Sequence, residues 1–176
     1  MNELQLIDGC RKGDRVAQKE LYDRYARKMM GVCYRYVNDK ETAADLLQDG
    51  FVNVFTAINS YSGEGSFEGW IRRIIVNKAL EYLRKSDVLR ESTELDNFTE
   101  SASSSENSAL ADIAAADLMK IIQELPTVFR TVFNLFAIEG YSHKEIAEML
   151  KITESTSRSH LTRARQVLQR KVSEMY

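Results

Sequence analysis

YSHKEIAEMLKITESTSRSHLTRARQVL, residues 141–168, carries the clearest local signals in the chain. Ser142 and Glu145 stand at the S-x-x-E spacing of a capping box, in which each side chain satisfies an otherwise unpaired backbone amide at a helix start. A short helix is therefore expected from Ser142 to Leu150. Lys151, Ile152 and Thr153 interrupt it, and Thr153 can cap a last helix running to about Lys171. Two helices joined by a three-residue turn suggest a helix-turn-helix. At 100° per residue the second helix gathers Ser157, Leu161, Ala164 and Leu168 on one inward stripe. Ser155, Ser159, Thr162, Arg163 and Gln166 fall opposite, with Arg158 and Arg165 together on one flank. Between Lys144 and Lys171 there are seven basic residues and three acidic ones. Hydroxyls, an amide and guanidinium groups can bond base edges and phosphates in a major groove. A merely solvated helix face has a similar composition. The capped first helix, the tight turn and the basic bias together favour DNA contact.

Upstream, the lone proline, Pro126, fits the first turn of another helix, and Val128, Phe129, Val132, Phe133 and Phe136 continue an apolar period until Gly140 stops it. Further back the composition changes. Residues 91–117 hold seven acids and no Lys or Arg, with serines clustered at 101 and 103–105. That stretch reads as a linker too polar at its core to bury a face, although Leu110, Ile113 and Leu118 suggest that helix resumes near Ala109.

Ahead of the linker the chain reads as four helices. Asp14 can cap one through about Val37, with Leu21, Tyr25, Met29, Val32 and Tyr36 on its buried side. Asp39 can cap the next, whose buried stripe is Leu47, Phe51, Val54 and Ile58. A glycine-containing loop, Tyr61 to Ser66, leads to a helix capped by Ser66 and running to Lys85. On that fourth helix Ile71, Ile75 and Tyr82 share one side, while Trp70, Arg73, Asn77 and Arg84 share another. An exposed indole flanked by cations and an amide suits single-stranded nucleic acid, on whose bases it can stack. It also suits ordinary core packing. The loop beside it could receive an extruded base or simply connect two helices. On the third helix Asp45, Gln48 and Asp49 share a face that could dock a basic partner, or stabilise the positive helix start locally.

The 176 residues carry a net charge of -2, which argues against a uniformly basic nucleic-acid binder. The figure conceals a division: residues 1–90 hold 15 basic and 13 acidic side chains, and residues 118–176 hold 9 and 6. Two mildly basic segments flank an acidic one. We expect the acidic linker to avoid the DNA backbone. With 8 glycines and 1 proline there are too few turn residues for an all-β sandwich, which needs one every ~8–12 residues. Cys10 and Cys33 lack metal or redox spacing and read as small buried hydrophobes, and His143 and His160 complete no metal set. No phosphate loop, zinc motif or nucleophile elbow is present, so no catalytic residue, metal or cofactor is expected. No apolar run approaches the ~20 residues of a membrane span, and a cytoplasmic location is expected.

In this order the pieces resemble an extracytoplasmic-function (ECF) sigma factor, the small two-domain class within the sigma-70 family of bacterial RNA polymerase specificity subunits. DLLQDGFVNVF (45–55) resembles the helix such factors dock on the β′ clamp of core polymerase. SFEGWIRRIIVNKALEYLRK (66–85) resembles the helix that melts and recognises the minus-ten element. LPTVFRTVFNLFAIEGYSHKEIAEMLKITESTSRSHLTRARQVLQ (125–169) resembles the domain that binds the minus-thirty-five element. The resemblance implies an all-α fold of two domains, region 2 over 1–90 and region 4 over 109–176, joined by a flexible acidic linker over 91–108; from its charge we expect that linker to thread a basic channel of the polymerase. The resemblance implies a non-enzymatic factor that directs core polymerase to promoters. Its expected partners are the β′ clamp and β flap of the polymerase, promoter DNA and an anti-sigma factor, with no membrane insertion. By the same resemblance Asp45, Gln48 and Asp49 would contact the polymerase. Tyr61, Trp70, Arg73, Asn77 and Arg84 would face the minus-ten strand, and Thr156, Arg158, Ser159, Thr162 and Arg163 the minus-thirty-five duplex.

The chain departs from that family at three positions. Lys151 stands where glycine is usual in the turn, so the backbone there must tolerate a side chain or turn differently. Ser157 stands where an apolar residue is usual, so its hydroxyl must bond back to a carbonyl or weaken the packing by about 1–3 kcal/mol. Asp49 stands where glutamate is common, giving a shorter reach. A stand-alone dimeric helix-turn-helix regulator and a helical enzyme are the rival readings.

Overall fold

Asp14, Asp39 and Ser66 each begin a helix by accepting a backbone N–H with a side-chain oxygen. The donors are Val16 at 2.9 Å, Thr42 at 3.1 Å and Gly69 at 3.1 Å. The structure, a computed structural model, describes residues 1–86, 89 and 114–175. Among them the helices are α1 (Glu3–Arg11), α2 (Arg15–Val37), α3 (Lys40–Ala57), α4 (Phe67–Lys85), α5 (Ala115–Gln123), α6 (Thr127–Phe133), α7 (His143–Leu150) and α8 (Glu154–Met175), with no strand. They form two compact units, Met1–Tyr82 and Leu83–Tyr176. The expected linker, 91–108, and the expected restart of helix near Ala109 with Leu110 and Ile113 lie outside the described residues.

In the first unit α1 opens with a reciprocal box between Asn2 and Gln5. α2 packs along both α1 and α3. The stripes Leu21, Tyr25, Met29, Val32, Tyr36 and Leu47, Phe51, Val54, Ile58 are all buried, each large side chain contributing about 1.5–3 kcal/mol by leaving water. Ile71 and Ile75 complete that core from α4. Tyr82, expected beside them, is instead 39% exposed, and Val76, Ala79, Leu80 and Leu83 take the buried positions. The buried arc of α4 thus swings by about 100° from start to end, as happens when a helix crosses its neighbours at an angle. At Gly50 the approach of α4 is closest: a Cβ there would collide with Cδ1 of Ile75. A 3₁₀ turn, Ile58–Ser60, ends the run after α3, and Lys28 ties α2 to α4 through Glu68 at 2.8 Å.

In the second unit α8 is the element on which α5, α6 and α7 pack. Pro126 does not enter the first turn of α6 but caps it from outside, with ψ of 143°. A proline lacks the N–H that a helix interior requires and loses nothing there. α6 runs into a π-helical segment, Asn134–Ile138, closed by a bond from the Glu139 N–H to the Asn134 carbonyl at 2.9 Å. Gly140, at φ 78°, then turns the chain toward α7. Among the described residues of this unit five polar side chains are buried: Arg130, Thr131, Asn134, Ser157 and His160. Arg130 is 6% exposed and donates to the Gln123 carbonyl at 2.9 Å. Burial lowers its pKa from the usual arginine value. Thr131 returns its hydroxyl to the Thr127 carbonyl at 2.7 Å, and His160 lies 5.6 Å from the Phe129 ring.

Candidate polymerase and nucleic-acid interfaces

Asp45, Gln48 and Asp49 are all exposed on α3, at the three- and four-residue spacings that put side chains on one helix face. One turn further on, at the same spacing, Val52 is 62% exposed. The face is therefore an acid-amide stripe ending in an aliphatic contact, a composition suited to a basic amphipathic partner. Val52 was not among the expected contacts. Its signal in the sequence was a valine placed opposite the Leu47 and Val54 stripe.

Trp70, Arg73, Asn77 and Arg84 fall within about 60° of one another around α4. The last three are exposed and Trp70 is half-buried. The indole stacks on Phe67, with centroids 5.8 Å apart and planes 12° from parallel, and lies 5.5 Å from the Tyr61 ring. The ring is thus packed against the aromatic cluster while part of the side chain stays accessible. Tyr61, expected at the DNA, is 6% exposed. Its hydroxyl donates to the Gly65 carbonyl at 2.9 Å, and its own carbonyl accepts from Arg11 at 2.6 Å. The ring is a wall of the aromatic cluster and the hydroxyl braces the loop from inside. In that loop Gly63 and Gly65 adopt φ of 86° and 75°, values a side chain rarely allows.

On the helix-turn-helix, the capping box forms as expected: Ser142 Oγ accepts from the Glu145 N–H at 3.1 Å, and Glu145 accepts from the Ser142 N–H at 2.8 Å. Lys151 sits in the left-handed region, φ 56° and ψ 46°, and its N–H reaches the Ala147 carbonyl. The turn tolerates a side chain where glycine would be free of strain. Thr153 Oγ1 accepts from the Thr156 N–H at 3.0 Å and starts α8, which continues beyond Lys171 to Met175. Arg158, Ser159 and Thr162 are exposed; Thr156 and Arg163 are half-buried. Thr162 donates its hydroxyl to the Arg158 carbonyl at 3.0 Å, so toward solvent it offers lone pairs alone and can accept from a base amino group. Arg158 reaches Glu154 at 3.5 Å on the surface, a screened contact that leaves the guanidinium available to phosphate.

Ser157 is 0% exposed. Its hydroxyl does not bond back to a carbonyl; it meets Nδ1 of His143 at 2.9 Å. His143 stacks on Phe136 at 4.5 Å, and the Arg165 guanidinium lies 5.8 Å over the same Phe136 ring. Burial, Arg158 and Arg165 hold the His143 pKa below its ordinary value, with Glu154 acting weakly the other way. This pair was missed from sequence, although a serine inside an apolar stripe signals a buried polar partner.

Both cysteines are buried. Burial pushes the Cys33 thiol up to about 12 and, with Asp14, raises that of Cys10. No helix among the described residues is long and apolar enough to cross a membrane.

Two families match the chain: sigma-70 region 2 over residues 21–88 and sigma-70 region 4 over residues 115–168. Similar curated proteins include the RNA polymerase sigma-H factor of Pseudomonas aeruginosa, 31% identical over 93% of this chain and 90% of that one. The ECF RNA polymerase sigma-E factor of Haemophilus influenzae is 29% identical over 98% and 96%. Among solved structures, CnrH in complex with the cytosolic domain of CnrY aligns with a TM-score of 0.52 at 22% identity, covering 96% of each chain. The sigma factor RpoE in complex with the anti-sigma factor NepR from Bartonella quintana aligns with a TM-score of 0.53 at 19% identity, covering 89% of this chain and 96% of that one.

Proposed function

The chain belongs to the sigma-70 family as a factor of the ECF type, and from that premise we propose which of its surfaces perform each step of initiation. Such a factor is not an enzyme: it directs core RNA polymerase to promoter DNA, and the polymerase supplies the chemistry. The α3 stripe of Asp45, Gln48, Asp49 and Val52 docks on the β′ clamp. The α8 face of Thr156, Arg158, Ser159, Thr162 and Arg163 binds the minus-thirty-five duplex through the major groove. Arginines anchor it to phosphate or guanine, and outward lone pairs on Thr162 accept from bases. The region 4 domain also meets the β flap.

Melting is assisted by α4. Trp70 offers its accessible indole surface to an unstacked base, a stacking contact worth about 1–3 kcal/mol, while Arg73 and Arg84 hold the backbone and Asn77 can bond a base edge. The braced Tyr61 to Ser66 loop beside it receives the displaced base, with Tyr61 shaping the loop from within. An anti-sigma factor is the expected regulator, and the factor works in the cytoplasm. The observation that carries this reading is the exposure of polar side chains on three separate helices, each backed by a packed apolar face.

In-vitro transcription tests it. Purified chain added to core polymerase on a genomic promoter library should yield new transcripts with defined starts. Absence of any added initiation, or unaided tight binding of a palindrome with half-sites about 10 bp apart, would instead favour the dimeric regulator.

A further inference from the structure

The buried hydroxyl of Ser157 needs an acceptor. Elsewhere on these helices Thr131, Thr162 and Ser173 return theirs to the carbonyl four residues back, at 2.7, 3.0 and 3.0 Å. Ser157 lies fully inside α8's apolar stripe and instead faces His143 Nδ1. A hydroxyl that donates to Nδ1 requires an uncharged imidazole with its proton on Nε2. The balance of charge around the ring agrees. Arg158 and Arg165 on α8 oppose a third cation, outweighing Glu154 on the same helix, and His143 opens α7, where the positive helix end also disfavours charge. The ring's orientation is set from outside the pair, by the stack on Phe136 and by the Ser142–Glu145 box that fixes the start of α7.

We propose that neutral His143 is a positioning residue for DNA recognition: by accepting the hydrogen bond of the Ser157 hydroxyl it fixes the roll of α8 and so aims Arg158, Ser159 and Thr162. Ser157 lies next to Arg158 in sequence and under a turn that ends in Thr162. A rotation of α8 that broke the bond would therefore redirect all three. Adding a proton to Nδ1 turns the acceptor into a donor, so the Ser157 hydroxyl must rotate and find another acceptor, and it sets a cation beside two arginines. Recognition then loses definition while non-specific attraction to phosphate rises. The inference rests on the assignment of the α8 face to the minus-thirty-five duplex.

The test uses holoenzyme assembled from the full chain and core polymerase, on a promoter recovered from the transcription library and on the same promoter with its minus-thirty-five element scrambled. The readout is the ratio of the two affinities, which cancels non-specific binding. For the unaltered chain the ratio should fall about fivefold to tenfold as pH is lowered from about 7.5 to below the ordinary imidazole range of about 6.5, where the ring gains its proton. His143→Gln keeps an acceptor that does not titrate, so its ratio should match the unaltered chain at the higher pH and stay flat. Ser157→Ala, a swap between small residues, should lower the ratio and make it independent of pH. His143→Ala combined with Ser157→Ala should be no worse than either alone. A ratio constant with pH in the unaltered chain, or a His143→Gln variant that still titrates, would overturn the inference and leave the α8 assignment intact. An unaltered chain that prefers neither duplex at either pH would overturn both.

Discussion

Phe67 and Trp70 stack with their planes 12° from parallel, so the indole joins the aromatic cluster of the first unit while remaining partly accessible on the polar side of α4. Trp70→Ala should leave polymerase binding and closed-complex formation close to normal and reduce strand opening by about 1–3 kcal/mol, the worth of one stacked base. Permanganate reactivity of minus-ten thymines reads the opening. Trp70→Phe, which keeps a ring on Phe67, should recover stability and part of the opening. If Trp70→Ala simply unfolds the first unit while Trp70→Phe opens DNA normally, the indole is a packing residue.

The faces proposed for docking and for DNA lie on different helices, so their variants should separate. Arg163→Ala should weaken minus-thirty-five binding by about 1–3 kcal/mol if it reads a base, or lower the salt slope by about 1 if it holds a phosphate. Core-polymerase affinity should not change. Asp49→Ala should do the reverse. A polymerase-binding titration and a salt series on promoter DNA check the pair.

Gly50 lets α4 approach α3. Gly50→Ala drives a methyl into Cδ1 of Ile75 and should destabilise the first unit by about 1–3 kcal/mol, as overpacking does. Combining it with Ile75→Val, which removes the offending carbon, should restore part of the loss. Urea denaturation of the single and double variants measures this.

Cys33 is buried and its thiol is pushed up to about 12, so almost no thiolate exists near neutral pH. Native protein should react with a thiol reagent far more slowly at Cys33 than urea-unfolded protein does. Equal rates would mean that α2 opens on the timescale of labelling.

Much of this fold was legible because its signals are local. Asp14, Asp39, Ser66, Ser142 and Thr153 cap helices through bonds spanning two or three residues, and the buried stripes follow from helical period alone. What depended on distant packing was not legible. Tyr82 fell out of the core because α4 is buried on a turning arc. Tyr61 fell inside because the rings of Phe67 and Trp70 on α4 close over it. The polar faces were found by spacing, whereas the meaning of Ser157 waited on a histidine 14 residues away, supplied by the other helix of the turn.

The π-helical segment 134–138 also has a bearing on recombination between relatives. Such a segment holds one residue more per turn than an α-helix, the geometric trace of an insertion. Deleting one residue of it would return the helix to α geometry with the side chains on either side still in phase, but would remove the Asn134–Glu139 closure and move Phe136 from its place against His143. A chimera that exchanges DNA-binding halves should therefore be spliced outside 134–138, because a junction within it inherits the phase of one parent and the contacts of the other.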